Sequence, residues 1–319
     1  MNYELLIGDC RQRLADLADG SVQTCITSPP YFGLRDYGHD SQIGLEQTPK
    51  AFVKELVGVF NEVRRALADD GTLWLNLGDS WANDGKWGGA TGGKHVASLH
   101  GESGVGRGKK TTGMKPKDLI GIPWRVALAL QDEGWYLRQD IIWHKPNPMP
   151  ESVQDRCTKS HEYIFLLTKS PRYYFNNAAI QEPCSADSYN GSSFTKGKTL
   201  AAKDAMKPVS MLERQEVTSR NKRDVWTVPT QSYSEAHFAT YPPALILPCV
   251  LAGSRPGDLV LDPFNGAGTT GLVALENGRR YVGIELNPEY AALTRKRLKH
   301  ISVDMFRSHI AIEEGAQKV

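Results

Sequence analysis

Short apolar runs alternate along this chain with longer segments in which apolar residues recur every three or four positions. The short runs predict β-strands at residues 3–7, 22–27, 72–77, 139–143, 163–168, 259–261 and 281–286. The longer segments predict helices at residues 50–67, from Pro123 to Gly134, at 241–247, at 269–276 and from Pro288 onward. Repeated strand–helix–strand order is typical of an α/β fold with a largely parallel sheet.

Two segments show neither the short apolar runs of strands nor the three-to-four-residue repeat of helices. Residues 83–117 are rich in Gly and Lys, and residues 94–117 hold six Lys or Arg against one acid, Glu102. Residues 185–223 hold eight Lys or Arg against four acids. A mobile arm that orders on a phosphate backbone has this composition, and so does a solvated surface loop. The first segment is therefore a candidate binding arm, with the surface-loop alternative open, and the second is the best candidate for an inserted recognition segment.

Composition narrows the class of protein only moderately. The 319 residues are 40% hydrophobic and 23% charged, and the formal net charge of +2 permits nucleic-acid binding without arguing for it. None of the five cysteines forms a Cys-x-x-Cys pair, so no disulfide framework, zinc site or other metal site is predicted. The acidic N-terminus is unlike a signal peptide and no apolar run has membrane-spanning length, so we expect a cytoplasmic protein without membrane contact.

A glycine-rich turn follows the predicted strand 259–261. Asp262 ends the strand, glycines stand at 266, 268 and 271, a helix follows, and Glu285 lies in the next strand. Such glycines let the backbone turn tightly and approach a ligand, a pattern that fits both NAD and S-adenosylmethionine. The acid at the strand end and the three residues before the first glycine favour S-adenosylmethionine, with Asp262 near its amino-acid end and Glu285 on its ribose hydroxyls. A tight turn without a ligand is the alternative.

A second motif, Ser28-Pro-Pro-Tyr31, follows the predicted strand 22–27. The prolines end the strand and hold the backbone in one extended shape. The Ser28 hydroxyl and the Pro29 carbonyl can accept hydrogen bonds from an exocyclic amine and so make its nitrogen more nucleophilic. Tyr31 can stack on an extruded base. A simple Pro–Pro turn with Tyr31 packed in the core is the alternative.

Together the two motifs resemble those of the DNA amino-methyltransferases, which methylate cytosine N4 or adenine N6. Thr27-Ser-Pro-Pro-Tyr31 resembles their catalytic motif in its cytosine-N4 form, and Asp262 to Gly271 resembles their cofactor motif. The catalytic motif comes first, as in the β class of the family. The form Asp-Pro-Pro-Tyr goes mostly with adenine, so adenine N6 remains an alternative. An NAD-binding oxidoreductase and a small-molecule methyltransferase are more distant alternatives.

The resemblance implies a Rossmann-like α/β fold, base flipping, and direct methyl transfer from S-adenosyl-L-methionine without a covalent enzyme intermediate. It divides the chain into a catalytic half at 1–175 with a mobile basic loop at 83–117, an inserted target-recognition region at 176–235, and a cofactor-binding half at 236–319. The catalytic candidates are Ser28, Pro29, Pro30 and Tyr31. The cofactor-binding candidates are Asp9 at the adenine of the cofactor and Asp262, Pro263, Phe264, Gly266, Gly268, Thr269, Glu285 and Asn287.

Several other residues receive assignments with alternatives. Cys249 follows a proline, as the nucleophile of the cytosine-C5 relatives does, but its apolar surroundings predict a core residue, and Trp143 and Trp226 are also expected in the core. His161 and Glu162 are expected to support the pocket, and the role of Asp36 is open. The DNA-binding candidates, for which a surface or turn role fits as well, are Lys109, Lys110, His144, Lys145, Arg220, Lys222 and Arg223. For His144 and Lys145, contact with the base pocket is a further alternative.

The expected partner is double-stranded DNA. A separate cognate restriction endonuclease is an open option, because no nuclease motif is visible in the chain. The family contains monomers and dimers, so both states remain open.

Overall fold

The computed structural model describes residues 2–34, 39, 41–82, 113–184, 219–231, 240–299 and 301. Within these residues the strands are β1 (Tyr3–Ile7), β2 (Val22–Thr27), β3 (Leu67–Leu77), β4 (Tyr136–His144), β5 (His161–Thr168), β6 (Glu182–Pro183), β7 (Ser219–Arg220), β8 (Val225–Thr227), β9 (Leu259–Asp262) and β10 (Arg280–Glu285). The helices are α1 (Cys10–Arg13), α2 (Pro49–Ala66), α3 (Ile122–Asp132), α4 (Pro243–Gly253), α5 (Thr269–Glu276) and α6 (residues 288–299). Two 3₁₀ turns lie at Leu14–Asp16 and Asn177–Ile180.

Eight strands form one sheet in the order β1-β10-β9-β2-β3-β5-β4-β8. Neighbouring strands run parallel except β5, which is antiparallel to both β3 and β4. Strands β6 and β7 form a separate antiparallel pair. The predicted α/β class with a mostly parallel, Rossmann-like sheet is confirmed.

Alternate strand residues point to opposite faces of the sheet and fill two separate cores. Leu73, Leu75 and Leu77 of β3 pack against α2 and α3, whereas Trp74 packs on the other face with α4 and α5. Strands buried on both faces read as continuous apolar runs, and this is why the sequence shows short apolar runs rather than alternation.

Helix α2 illustrates how the local sequence sets an element. The Thr48 side chain accepts a hydrogen bond from the Ala51 amide, and proline occupies the first turn, where its missing N–H costs nothing. Phe52, Leu56 and Phe60 are fully buried. Each such side chain contributes about 1.5–3 kcal/mol of transfer free energy on burial.

Some predicted boundaries differ from the observed ones. Strand β3 begins at Leu67 rather than at residue 72, and it contains Gly71. A Cβ at Gly71 would lie 2.9 Å from the Ala68 carbonyl oxygen, and the pairing with β2 changes register nearby, so the glycine marks an irregularity inside a strand and not its start. His161 and Glu162 are the first residues of β5, although the strand was predicted to begin at 163.

The core predictions are confirmed, and other predictions fall outside the described residues. Cys249, Trp143 and Trp226 are at most 6% exposed, and burial raises the pKa of the Cys249 thiol, as expected of a packed cysteine. Residues 83–112 and 185–218 lie outside the described ranges, so the basic loop and most of the recognition region stay predictions. Strand β8, inside the predicted recognition region, pairs with β4 in the main sheet. In the described ranges, no helix is both long and apolar enough to cross a bilayer.

Candidate functional site

A cavity opens at the carboxyl edge of the sheet, where β2 and β9 lie side by side. From β2 the chain continues through α2 to β3, and from β9 it continues through α5 to β10 on the opposite side. This divergence makes a topological switch point, the usual place for a ligand crevice in open α/β sheets. The cavity measures about 890 Å³.

Both predicted motifs line this one cavity. The predicted site residues on its wall are Asp9, Ser28, Pro29, Pro30, Tyr31, Lys145, Pro263, Phe264, Gly266, Thr269, Glu285 and Asn287. The structure does not bring Asp262, Gly268, His144, Arg220, Lys222 or Arg223 to the wall. Asp36, Lys109 and Lys110 lie outside the described residues. The two motifs are more than two hundred residues apart in the chain, and they meet at this cavity because the parallel strands that precede them end at the same edge of the sheet.

Glu285 presents a buried carboxyl group to the cavity from the end of β10. One of its oxygens accepts a hydrogen bond from the Gly266 amide at 2.7 Å, and the other accepts one from the Asn287 amide at 2.9 Å. Burial raises the pKa of Glu285 to about 7, although these amides act in the opposite direction. The group thus ties the glycine turn to the end of β10 and retains lone pairs that can accept hydroxyl donors.

Asp262 lies beneath the glycine turn and is 1% exposed. Its two oxygens accept hydrogen bonds from Thr27 Oγ1 at 2.6 Å, Thr270 Oγ1 at 2.7 Å, the Phe264 amide at 3.0 Å and the Tyr241 hydroxyl at 3.1 Å. Burial raises the pKa of Asp262, and the four donors oppose that rise. Asp262 therefore connects the turn to Thr27, the residue that precedes Ser28.

The glycine turn needs its glycines for two different reasons. Gly268 has φ 72°, and a Cβ there would lie 2.6 Å from Thr294 Cγ2. A Cβ on Gly271 would lie 2.6 Å from the Tyr281 ring, so this glycine lets α5 pack closely on β10. The first requirement shapes the turn and the second sets the distance between helix and strand.

Asp9 follows β1 at the same edge of the sheet. It caps α1 by accepting from the Arg11 amide at 2.9 Å, and its side chain pairs with the Arg11 guanidinium at 2.6 Å. Burial would raise the pKa of Asp9, but the Arg11 hydrogen bonds outweigh burial and hold the pKa below its ordinary value. A fixed carboxylate thus borders the cavity next to Gly8.

The Ser28-Pro-Pro-Tyr31 segment forms the other end of the cavity. Ser28 and Pro29 both line the cavity, and within the described part of the chain the Ser28 hydroxyl makes no hydrogen bond. The Tyr31 hydroxyl donates to Glu162 Oε2 at 2.6 Å, and its ring packs on Gly78, where a Cβ would lie 2.5 Å from Tyr31 Cε2. This end of the cavity therefore has a hydroxyl group, on Ser28, and a fixed aromatic ring, on Tyr31.

Sequence reasoning gave no role to Asn76 or Asp79, which also line the cavity. Asp79 accepts hydrogen bonds from the amides of Gly121 and Ile122 at the start of α3. Glu162 was expected only to support the pocket in general. The available signal was positional: Asn76 and Asp79 lie at the carboxyl end of β3, and the carboxyl ends of parallel strands share one edge.

The other basic candidates lie away from the cavity wall. Arg220, Lys222 and Arg223 surround Glu182, with their nitrogens 3.5, 3.7 and 3.0 Å from its carboxylate. The side chain of Arg223 is 66% exposed. His144 Nδ1 lies 3.1 Å from Thr227 Oγ1, between β4 and β8. These residues form a basic surface on the β6–β7–β8 side of the molecule.

A switch-point cavity with a glycine turn and a buried acid at one end, and the Ser28-Pro-Pro-Tyr31 turn at the other, is typical of a Rossmann-like enzyme that binds a nucleotide cofactor. Residues 22–296 match the DNA methylase family of N6- and N4-methyltransferases. The chain belongs to this family and is a DNA methyltransferase of the cytosine-N4/adenine-N6 kind. Membership confirms the predicted class and methyl donor, S-adenosyl-L-methionine, and sets aside the oxidoreductase and small-molecule alternatives.

Relatives and solved structures agree with this assignment. The chain is 46% identical over 303 residues to the type II methyltransferase M.Cfr9I of Citrobacter freundii, covering 95% of this chain and 90% of the relative. It is 46% identical to the type II methyltransferase M.SmaI of Serratia marcescens, covering 92% and 90%. In fold it is similar to the cytosine-N4-specific PvuII DNA methyltransferase, with TM-score 0.62, 19% identity, and coverage of 93% and 86%. A DNA modification methylase of Thermus thermophilus, solved in complex with S-adenosyl-L-methionine, gives TM-score 0.56, 25% identity, and coverage of 93% and 95%.

Proposed function

We propose that this protein transfers a methyl group from S-adenosyl-L-methionine to the exocyclic N4 of a cytosine flipped out of double-stranded DNA. The observation that carries the proposal is one cavity bordered at one end by Glu285 and the glycine turn and at the other by Ser28 and Tyr31. The serine in the first position of the tetrapeptide favours cytosine over adenine.

The donor set of the cavity fits this cofactor. Glu285 and Asp9 offer carboxylate acceptors for hydroxyl and amino groups, Phe264 offers an aromatic face, and Gly266 offers close backbone approach. When bound, S-adenosylmethionine supplies an electrophilic methyl group on a sulfonium. We assign Glu285 to the ribose hydroxyls and Asp9 to the adenine. Asp262 is assigned to holding the turn, since it is 1% exposed, does not line the cavity as Asp9 does, and accepts from four protein donors.

The tetrapeptide acts on the amine of the base. The amine lone pair of cytosine is delocalised into the ring, and acceptors aimed at the two amine protons draw the nitrogen toward a nucleophilic geometry. Ser28 Oγ and the Pro29 carbonyl are those acceptors, and Tyr31 holds the ring plane. The amine nitrogen would bond to the methyl carbon as the carbon–sulfur bond of the sulfonium breaks, leaving a neutral thioether. The nitrogen would then release one proton to solvent, and no enzyme nucleophile is needed.

Duplex DNA is the proposed partner. The basic surface around Glu182, formed by Arg220, Lys222 and Arg223, is proposed to contact phosphates, with Lys109 and Lys110 contributing from the predicted basic loop. The similarity to type II methyltransferases suggests a separate cognate restriction endonuclease.

The test is radiolabelled methyl transfer from S-adenosylmethionine to unmethylated duplex DNA, with the product digested to nucleosides and separated. We expect label in N4-methylcytosine. Label in N6-methyladenine would overturn the cytosine assignment and leave the rest of the site in place. A Ser28→Ala variant under the same conditions controls for a contaminating methyltransferase, since its label should fall sharply.

A further inference from the structure

We infer that Glu162 is a positioning residue for Tyr31, with Lys145 as the cation that balances the charge of Glu162. This inference rests on the proposed function, in which the Tyr31 ring holds the flipped base. It assigns a defined task to a glutamate that lies 131 residues away from Tyr31 in the chain.

Glu162 is the centre of a hydrogen-bonded cluster at the start of β5. Its Oε2 accepts from the Tyr31 hydroxyl at 2.6 Å and from Asn76 Nδ2 at 3.3 Å. Its Oε1 forms an ion pair with the Lys145 ammonium. Asn76 is fixed in turn by donating to the Tyr163 carbonyl at 3.1 Å. The carboxylate therefore has a partner for each oxygen and little freedom to move.

The same cluster restricts the Tyr31 ring. Its hydroxyl end is anchored by Glu162, and one side of the ring rests on the backbone of Gly78, where even a methyl group would clash at 2.5 Å. The hydroxyl also lies 3.3 Å from Asn76 Oδ1, but the shorter bond to the Glu162 carboxylate is the stronger restraint on the side-chain torsions of the ring. A stacking residue held in one orientation does not need to be ordered when the base arrives, and this lowers the cost of reaching the reactive geometry.

Lys145 compensates the charge that this arrangement buries. The side chains of Lys145 and Glu162 are only 18% and 13% exposed. The Lys145 ammonium also lies 4.2 Å from the centre of the Trp143 ring. A half-buried carboxylate without a cation would be costly, and the ion pair together with the aromatic contact offsets that cost. Both contacts hold the Lys145 ammonium at the cavity wall.

A double-mutant cycle between Glu162→Gln and Tyr31→Phe tests the inference. Gln keeps the shape of Glu but has only one acceptor oxygen. If that oxygen accepts from the Tyr31 hydroxyl, the amide NH₂ group faces the Lys145 ammonium, which is unfavourable. We expect each single change to lower kcat for methyl transfer about tenfold, the typical effect of one charge-assisted hydrogen bond, with S-adenosylmethionine affinity within about twofold of wild type. The double variant should be no slower than the slower single variant.

A matched control uses another cavity-lining glutamate. Glu151 pairs with Arg156 at 2.5 Å and has no contact with Tyr31 among the described residues. Glu151→Gln should combine additively with Tyr31→Phe. If Glu162→Gln folds poorly, Glu162→Asp keeps the charge while withdrawing it from the hydroxyl, and the same lack of additivity is expected.

Two results would overturn the inference. One is additive kcat effects for Glu162→Gln and Tyr31→Phe. The other is coupling in the urea-unfolding midpoint without coupling in kcat, which would make the contact structural only. The proposed function is judged separately, by the nucleoside that the wild-type protein labels. Additive kcat effects on a protein that makes N4-methylcytosine would therefore refute this inference alone.

Discussion

Asp262→Ala separates two roles that the sequence could not distinguish. The sequence predicts a contact with the amino-acid end of the cofactor, whereas the structure buries Asp262 under the turn with four protein donors. If Asp262 holds the turn, its removal should cost folding free energy as well as cofactor affinity. If it binds the cofactor directly, affinity alone should fall.

The expected loss of folding free energy follows from the hydrogen-bond donors that Asp262→Ala leaves without an acceptor. Thr270 also reaches the Ile26 carbonyl at 3.3 Å, and this bond remains in the variant. The Tyr241 hydroxyl keeps its contact with Thr270 Oγ1. The Phe264 amide and the Thr27 hydroxyl lose their acceptor, at about 1–3 kcal/mol each. Burial raises the pKa of Asp262, so burying its carboxylate is itself unfavourable. Removing the carboxylate therefore recovers part of the lost stability. We expect the free energy of unfolding to fall by about 2–4 kcal/mol.

Urea unfolding followed by tryptophan fluorescence measures this loss, and calorimetric titration with S-adenosylmethionine measures the affinity of the folded variant. Asp69→Ala is the control, because the Asp69 side chain is 98% exposed and makes one surface ion pair with Lys169. It should change the free energy of unfolding by less than about 1 kcal/mol. An Asp262→Ala protein that unfolds like wild type but no longer binds the cofactor would refute the structural role and restore the direct contact.

Four further outcomes are expected. The pKa of Glu285 is raised in the folded protein from 4.5 to about 7. Between these two pH values the folded protein keeps a proton on Glu285 that the unfolded protein has lost, so the contribution of Glu285 to stability should fall by about 3 kcal/mol as pH rises through this window. Urea unfolding at several pH values should show this slope, and Glu285→Gln should remove it. If the ionised form binds ribose, S-adenosylmethionine should bind about tenfold more weakly at pH 6 than at pH 8, and a Kd independent of pH would contradict that assignment. Gly78→Ala would press on the Tyr31 ring and should lower methyl transfer with little change in cofactor affinity; an equal loss of both would place Tyr31 elsewhere in the reaction. Arg223→Ala should reduce the salt dependence of DNA affinity by about one unit of slope, and an unchanged slope would mean that Arg223 serves only Glu182.

The motifs were predictable because each is local in sequence. Glycines at fixed spacing after an apolar strand, and two prolines directly after another strand, carry their own conformational meaning. The rule that parallel strands end at one edge then predicts that Ser28 and Gly266 meet, as they do around the cavity. The positions of Ser28 and Glu285 follow in the same way from the strand ends.

The supporting contacts were not predictable, because they join residues that no local pattern connects. Thr27 and Asp262 are 235 residues apart. The role of Glu162 depends on β5 running antiparallel between β3 and β4, which brings the start of that strand to the edge where the parallel strands end. A charged residue at the start of an apolar strand shows no such partner in the sequence. The sequence likewise leaves Lys145 a DNA-binding candidate with open alternatives, because its ion pair with Glu162 is visible only in the fold.

The most direct test of a two-ended cavity is the Ser28→Ala variant, measured for S-adenosylmethionine binding and for single-turnover methyl transfer to duplex DNA. The change removes the hydroxyl acceptor at the base end and leaves Glu285 and the glycine turn intact. We predict a cofactor Kd within about twofold of wild type and a methyl-transfer rate lowered about 100-fold, the typical loss for one preorganised catalytic hydrogen bond. Loss of cofactor binding, or methyl transfer at the wild-type rate, would contradict the assignment of Ser28 to the target amine.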